Sequence, residues 1–485
     1  MIVHLKKLIQ NPILEKEVLG TGRTLKFFLF ILGFILLACI PLLVQVTEMR
    51  DSGANGGFKL FEVIFWVQAA CVALAIPAYS STAIAGERQH RTFDLLRITV
   101  LQPWEIVWGK FVAVTSYIFV FLLAFLPLVA ICFLYGGTDP VLVALSYGYL
   151  LAGAATAIMF CVMMSAGSHN PVKSILVGYV FMIAFAITWG VFVSELLLRQ
   201  WTRFGAGVGN TWEVAYMLIV ACAVLAFAWS LFYISSTSLL KPPSWNRSTP
   251  LRIWYAAFSM ASLAFLVYAF AKLQGRGNIH ELTPFLVALV GAPGVFAAIG
   301  FCGEPAQVHP RLLLKLKRIS ALWQPFVPGG LGSRFFVHGV VIASAAAAIA
   351  VSSALSDRSL ADEAFWLAAG IFIFVNFCCS LSRTVRALWD TPRARVLTLL
   401  VIAGLMLLPL LTFLFEDRPD MPPLAWINPF VALTAYTEHH DGNSDLLGRQ
   451  CYVWFYVVAA AATFLVRRIY QQRTAAAARL AAQQT

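Results

Sequence analysis

Ile84-Ala-Gly-Glu-Arg-Gln-His-Arg-Thr-Phe-Asp-Leu-Leu-Arg-Ile-Thr-Val-Leu-Gln-Pro-Trp-Glu-Ile-Val-Trp-Gly-Lys110 is a charged, helix-patterned stretch set between two long apolar runs, at about 61–83 and 108–134. A membrane crossing by helix needs about 20 apolar residues, and both flanking runs are that long. The stretch therefore reads as a connector between two spans. It is longer and more ordered in pattern than the short polar turns that usually join them. Such a connector suggests a surface made to be gripped by something else.

The rest of the chain agrees with that reading. Of 485 residues, 60% are hydrophobic and only 12% charged, with mean hydropathy +0.79. Soluble domains carry about 25% charged residues, so the composition points to a polytopic membrane protein. Twelve apolar runs follow, at about 27–46, 61–83, 108–134, 141–166, 174–195, 213–236, 253–271, 282–302, 336–355, 364–382, 396–415 and 450–466. None has Asp, Glu, Lys or Arg at its middle. The first run begins after a polar segment and is long enough to span, so no cleavable signal peptide is expected. Cytoplasmic loops retain Lys and Arg. Placing the N-terminus inside puts most of the 35 basic residues in inward segments, with both termini cytoplasmic. The formal net charge of +12 is then ordinary membrane topology, and no nucleic-acid partner is implied. The nine cysteines lie mostly inside apolar runs and form no C-x-x-C pair. They read as small buried residues, not a disulfide or metal framework.

The polar, Pro- and Ser-rich stretch Lys241-Pro-Pro-Ser-Trp-Asn-Arg-Ser-Thr-Pro250 divides the chain. The expected layout is an N-terminal segment 1–25, a six-span half 26–240, a linker 241–252, a second six-span half 253–466 and a tail 467–485. Each half has a long inward connector after its second span, at about 84–107 and 303–335. Same-orientation duplication and a coincidence of loop lengths both explain the parallel.

Treated as one helix at 100° per residue, the connector places Phe93, Leu95, Leu96, Thr99 and Val100 on one side. Glu87, His90, Arg91, Asp94 and Arg97 fall on the other. That is an amphipathic interfacial helix with its charged face toward the cytosol. A passive surface helix is the plain alternative. Pro103 suits the first position of the next helix, and Trp104 and Trp108 suit an interfacial aromatic belt. Near the N-terminus, Asn11 reads as the cap of a helix opening at Pro12, with Glu15 in its first turns. Ile13, Leu14 and Val18 supply an apolar side.

These segments together resemble the type-2 ABC transporter permeases. The resemblance is carried by Asn11-Pro-Ile-Leu-Glu-Lys-Glu17 before the first span, by Gly86-Glu-Arg88, by Thr92-Phe-Asp-Leu-Leu96, and by Gly109-Lys110 opening the third span. It covers about residues 8–135. The second half departs from it: Pro305 replaces the Arg of Gly-Glu-Arg, and no Thr-x-Asp-Leu-Leu follows. The twelve apolar runs imply an all-α polytopic membrane protein of about 12 transmembrane helices, twice the six-span unit common in that family, and the resemblance adds an N-terminal elbow helix and a cytoplasmic coupling helix. It further implies a permease of the cytoplasmic (inner) membrane, export as the direction, and a separate ABC ATPase subunit, in two copies, that binds ATP-Mg. Glu87, Arg88, Arg91, Thr92, Asp94, Leu95, Leu96 and Arg97 would form the coupling segment, and Asn11, Pro12, Glu15 and Glu17 belong to the elbow. The two ATPase contacts would be met by a homodimer or by a pseudo-dimer within one chain.

The chain itself has no G-x-x-x-x-G-K-[ST] phosphate loop. Gly329-Gly-Leu-Gly-Ser-Arg334 lacks the lysine and following hydroxyl, and reads as a turn. No enzymatic activity, metal or cofactor is expected of this chain. Arg311, Lys315, Lys317 and Arg318 suit anionic lipid headgroups; with Glu304, Arg311 and Lys315 also admit a second, degenerate ATPase contact. Glu438-His439-His440-Asp441 has metal-ligand types but not the spacing of a metal site. Gln68 and Asn376 are lone polar residues in spans, suited to inter-helix hydrogen bonds. Two other function classes stay open. An ion-coupled secondary transporter usually keeps ionisable residues within its spans, and none is seen at mid-span. A polytopic enzyme or scaffold would show a polar cluster at one face, and only 438–441 comes near.

Overall fold

The structure, a computed structural model, describes residues 12–22, 56–98, 101–136, 138–168, 170–193, 211–242, 245–273, 335–343, 358–388 and 456–469, with scattered positions between 25 and 39, between 301 and 346, and at 471–472. No strand occurs among them. The chain divides into two compact units, Met1–Pro242 and Pro243–Thr485.

The first unit holds α1 (Pro12–Gly22), α2 (Gly56–Ser80), α3 (Ala85–Gln89), α4 (Phe93–Ile98), α5 (Pro103–Ala124), α6 (Leu126–Leu134), α7 (Pro140–Gly167), α8 (Pro171–Val193) and α9 (Thr211–Leu240). Proline sets several of these boundaries. Pro12, Pro103, Pro140 and Pro171 each open a helix, where the missing N–H is not needed. At α5 the side chain of Glu105 accepts from the Gln102 backbone N–H, 2.8 Å away, and closes a capping box. At α7 the Asp139 side chain accepts from Val141 N–H at 2.9 Å. Pro127 separates α5 from α6, and Pro77 lies inside α2, where it removes one hydrogen bond of the ladder.

Helix α7 is the centre of this unit. It packs against α2, α5, α8 and α9, and carries buried Gly153, Ala154 and Ala157. In lipid, close packing of small residues replaces the hydrophobic drive of water. Gln68, fully buried on α2, accepts a hydrogen bond from Tyr147 Oη on α7, so its expected inter-helix role is met. A Cβ at Gly178 of α8 would lie 2.5 Å from Ser81 Oγ and 3.3 Å from Pro77 Cβ, which is the close approach glycine permits. Val172, Leu176, Val180 and Ile183 leave an exposed apolar stripe on α8, as acyl chains require. Trp108 packs edge-on to Trp229.

The second unit contains α10 (Thr249–Leu273) and α11 (Arg358–Leu388), with further helical residues at 335–343 and 456–469. Its core gathers Tyr255, Phe301, Phe336, Phe374, Phe377 and Tyr456. Cys378 and Cys379 are buried. Asn376 lies 3.4 Å from His338 Nε2 across the helices. Arg252 is fully buried, donates to Ser333 Oγ at 2.7 Å and sits over the rings of Phe301 and Phe336.

Four stretches among the described residues are long and apolar enough to cross a membrane: Gly57–Gln89, Pro103–Leu134, Pro140–Gly167 and Cys222–Leu240. Pro171–Ala186 is a shorter apolar helix. These helices support an all-α, multi-pass membrane protein. Of the twelve expected spans, 396–415 lies outside the described residues, and 27–46, 174–195, 282–302, 336–355 and 450–466 are described only in part.

Candidate functional site

The connector is not one helix. Helix α3 ends at Gln89, and Arg91 takes a left-handed backbone with φ +58°. Thr92 N–H donates to Glu87 C=O at 3.0 Å, and Arg91 N–H to Arg88 C=O at 3.2 Å. That pair of bonds is the Schellman motif, with arginine where glycine is usual. The chain turns sharply there and resumes as α4. The single helical wheel expected for 84–100 therefore fails. Residues before and after the turn do not share one axis.

The consequence is clearest at Glu87, expected on the charged outer face. It points inward, and its side chain is 16% exposed. Lys110 on α5 is 5% exposed at its side chain and donates to Glu87 Oε1 at 2.7 Å and to Glu17 Oε1 of α1 at 2.6 Å. Buried ammonium groups require such partners. The other Glu87 oxygen is also buried and accepts no hydrogen bond. Tyr117 Oη donates to the main-chain carbonyl of Glu17, a second tie between α1 and α5.

The other anchor lies on α7. The Oγ of Ser165, fully buried, accepts from both Ile84 N–H and Ala85 N–H at 2.9 Å. Those donors have no acceptor within their own short helix, as at any helix start. Arg88 donates to Ser168 C=O at 3.3 Å and lies 4.9 Å from the centre of the Phe93 ring. Phe93 is buried. The connector is thus fixed on its inner side to α7, and to α5 and α1 through Lys110.

Its outer side is formed by His90, Arg91, Thr92, Asp94, Leu95 and Ile98, all exposed. Leu95 is 62% and Ile98 80% exposed. Leu95 is expected on the apolar side, toward membrane or bundle; it is exposed, so it does not pack into the bundle. The side chains of Leu96 and Arg97 lie outside those described. On α1, Ile13 is buried and Glu15 exposed in the first turn, following Pro12. Asn11, Glu304, Arg311, Lys315 and the 438–441 cluster fall outside the described residues. Among the described residues, no group of three or more His, Cys, Asp or Glu is placed to hold a metal.

Sequence reasoning missed Ser165 and Tyr117, which act across 81 and 100 residues. Lys110 did carry a signal. A lysine eight positions into an apolar helix must find a carboxylate or reach the surface. The chain matches no known protein family, no curated protein and no solved structure.

Proposed function

We propose that the protein is the permease subunit of an ABC transporter, lying in the cytoplasmic membrane, and that a separate ATPase docks on the connector 85–98. The observation that carries this reading is the two-sided build of that connector. Its inner side is tied to three helices by Ser165, Arg88 and Lys110. Its outer side offers two exposed apolar residues, Leu95 and Ile98, flanked by Arg91 and Asp94. Apolar anchors with charged neighbours are what a docking helix needs: the apolar groups supply affinity, and the charges set register and on-rate. A rigidly anchored element moves the helices behind it when its partner closes.

In this reading both termini and the connector face the cytosol, and ATP-Mg binds to the ATPase. Export follows from the resemblance of 11–17 and 84–110 to type-2 permeases. The test is co-purification from native membranes in mild detergent. A P-loop ATPase should come down with the protein, and ATP hydrolysis should respond to substitutions on the outer side of the connector. Recovery of the protein without any ATPase overturns the proposal.

A further inference from the structure

We infer that Lys110 is a positioning residue: it is the joint through which the connector moves α1 and α5 together. The inference deepens the reading above, since it names how a docked ATPase would reach these two helices. Helix α3 packs against α7 and α8. Its hydrogen-bonded link toward α5 is the Glu87–Lys110 pair, at 2.7 Å. The same ammonium holds Glu17 of α1 at 2.6 Å. One buried cation thus ties three elements, reaching 23 residues back to Glu87 and 93 residues back to Glu17.

The residue types fit a joint better than a fixed brace. An ammonium on a flexible four-carbon stem is a point charge with three rotatable donors. It can follow either carboxylate without losing the other, where a planar guanidinium would demand fixed geometry. The two arms differ in strength. Helix α1 keeps a second tie to α5 through Tyr117 Oη and the Glu17 carbonyl. On the connector arm Glu87 Oε1 takes the ammonium, while Glu87 Oε2 is buried without a hydrogen-bond donor among the described residues. Meanwhile Ser165 and Ser168 hold the connector to α7 independently of Lys110. Loss of Lys110 therefore divides the machine: the connector still sits on α7 and still presents Leu95 and Ile98, but no longer carries α1 and α5.

The test is hydrogen exchange on the full chain in lipid nanodiscs, with no partner added, comparing wild type with Lys110→Met, Lys110→Arg, Glu87→Gln and Glu17→Gln. Lys110→Met should raise exchange in both 12–22 and 85–98 by about tenfold or more, the scale of a lost hydrogen bond to a charged group. Glu87→Gln should raise exchange chiefly in 85–98 and Glu17→Gln chiefly in 12–22. In the Lys110→Met background neither should add to the effect. Lys110→Arg keeps the charge and should recover part of the protection, and this variant with the two glutamines keeps the test open if Lys110→Met fails to fold. Unchanged exchange in both segments, or a rise confined to 103–124, overturns the inference. In a complex with ATPase, Lys110→Met should leave the dissociation constant within twofold while abolishing nucleotide-dependent protection of 12–22. A nucleotide response of 12–22 that survives the substitution also overturns it. Absence of any ATPase would instead refute the proposed function and leave the nanodisc result standing.

Discussion

Ser165→Ala removes the acceptor used by two buried backbone donors. Ile84 N–H and Ala85 N–H each lie 2.9 Å from Ser165 Oγ, and all three residues are fully buried. Leaving a buried donor unsatisfied costs about 1–3 kcal/mol. Two donors would cost roughly 2–6 kcal/mol, and partial turning of the 81–84 segment toward water favours the lower half of that range. A cost of about 3 kcal/mol corresponds to roughly a hundredfold shift in the local opening equilibrium. Hydrogen exchange across 82–90 reads that equilibrium, with the middle of α7 as an internal control. Ser165→Thr keeps an oxygen at the same place and should stay within a few-fold of wild type. If Ser165→Ala exchanges within twofold of wild type across 82–90, the connector is not held by this residue, and the account of its inner side is wrong.

Changing Leu95 and Ile98 together to serine should weaken ATPase association about tenfold or more, since exposed apolar anchors carry binding energy, while the melting temperature stays unchanged because neither residue is buried; a pull-down titration and a thermal melt measure the two effects. Arg91→Gly should slow exchange in 85–92 by roughly fivefold, because glycine adopts φ +58° without the cost of about 1 kcal/mol that a side chain carries there; Arg91→Val should do the opposite. Gly57→Ala should lower the thermal midpoint in detergent. A Cβ there would collide with the carbonyl oxygens of Cys132 and Gly136, which are backbone and must shift, at a cost of about 1–3 kcal/mol. Burial holds the Lys241 ammonium below the usual lysine range. The folded chain then gives up this proton before the unfolded chain does, so stability rises with pH between the folded value and the ordinary lysine range. A denaturation series at rising alkaline pH should show that rise, and Lys241→Met should flatten it.

Local signals in the sequence were reliable where one residue decides the backbone. Pro12 and Pro103 open α1 and α5 as expected, and Glu105 caps α5. The apolar runs gave helices wherever they are described, and most of the cysteines described there are buried. The connector was legible as a special element but not in its shape. A Schellman turn normally announces itself by glycine, and here Arg91 takes that conformation. With the turn hidden, the helical wheel put Glu87 on the charged outer side, whereas the structure turns it inward onto Lys110. Ser165 and Tyr117 could not be read at all. Their partners are set by how α7 and α5 pack, and no local pattern in the sequence encodes that. Lys110 stood between these cases, since its burial in an apolar helix demanded a carboxylate but did not say which.

The central claim is that the outer side of the connector is the docking surface of an ATPase. A photo-crosslinking amino acid placed at Leu95 and activated in native membranes tests it most directly, because that side chain is 62% exposed. The account predicts one dominant protein adduct that mass spectrometry identifies as a P-loop ATPase, with a yield that changes on adding ATP. Adducts to lipid alone, or to proteins without a nucleotide-binding loop, would contradict it.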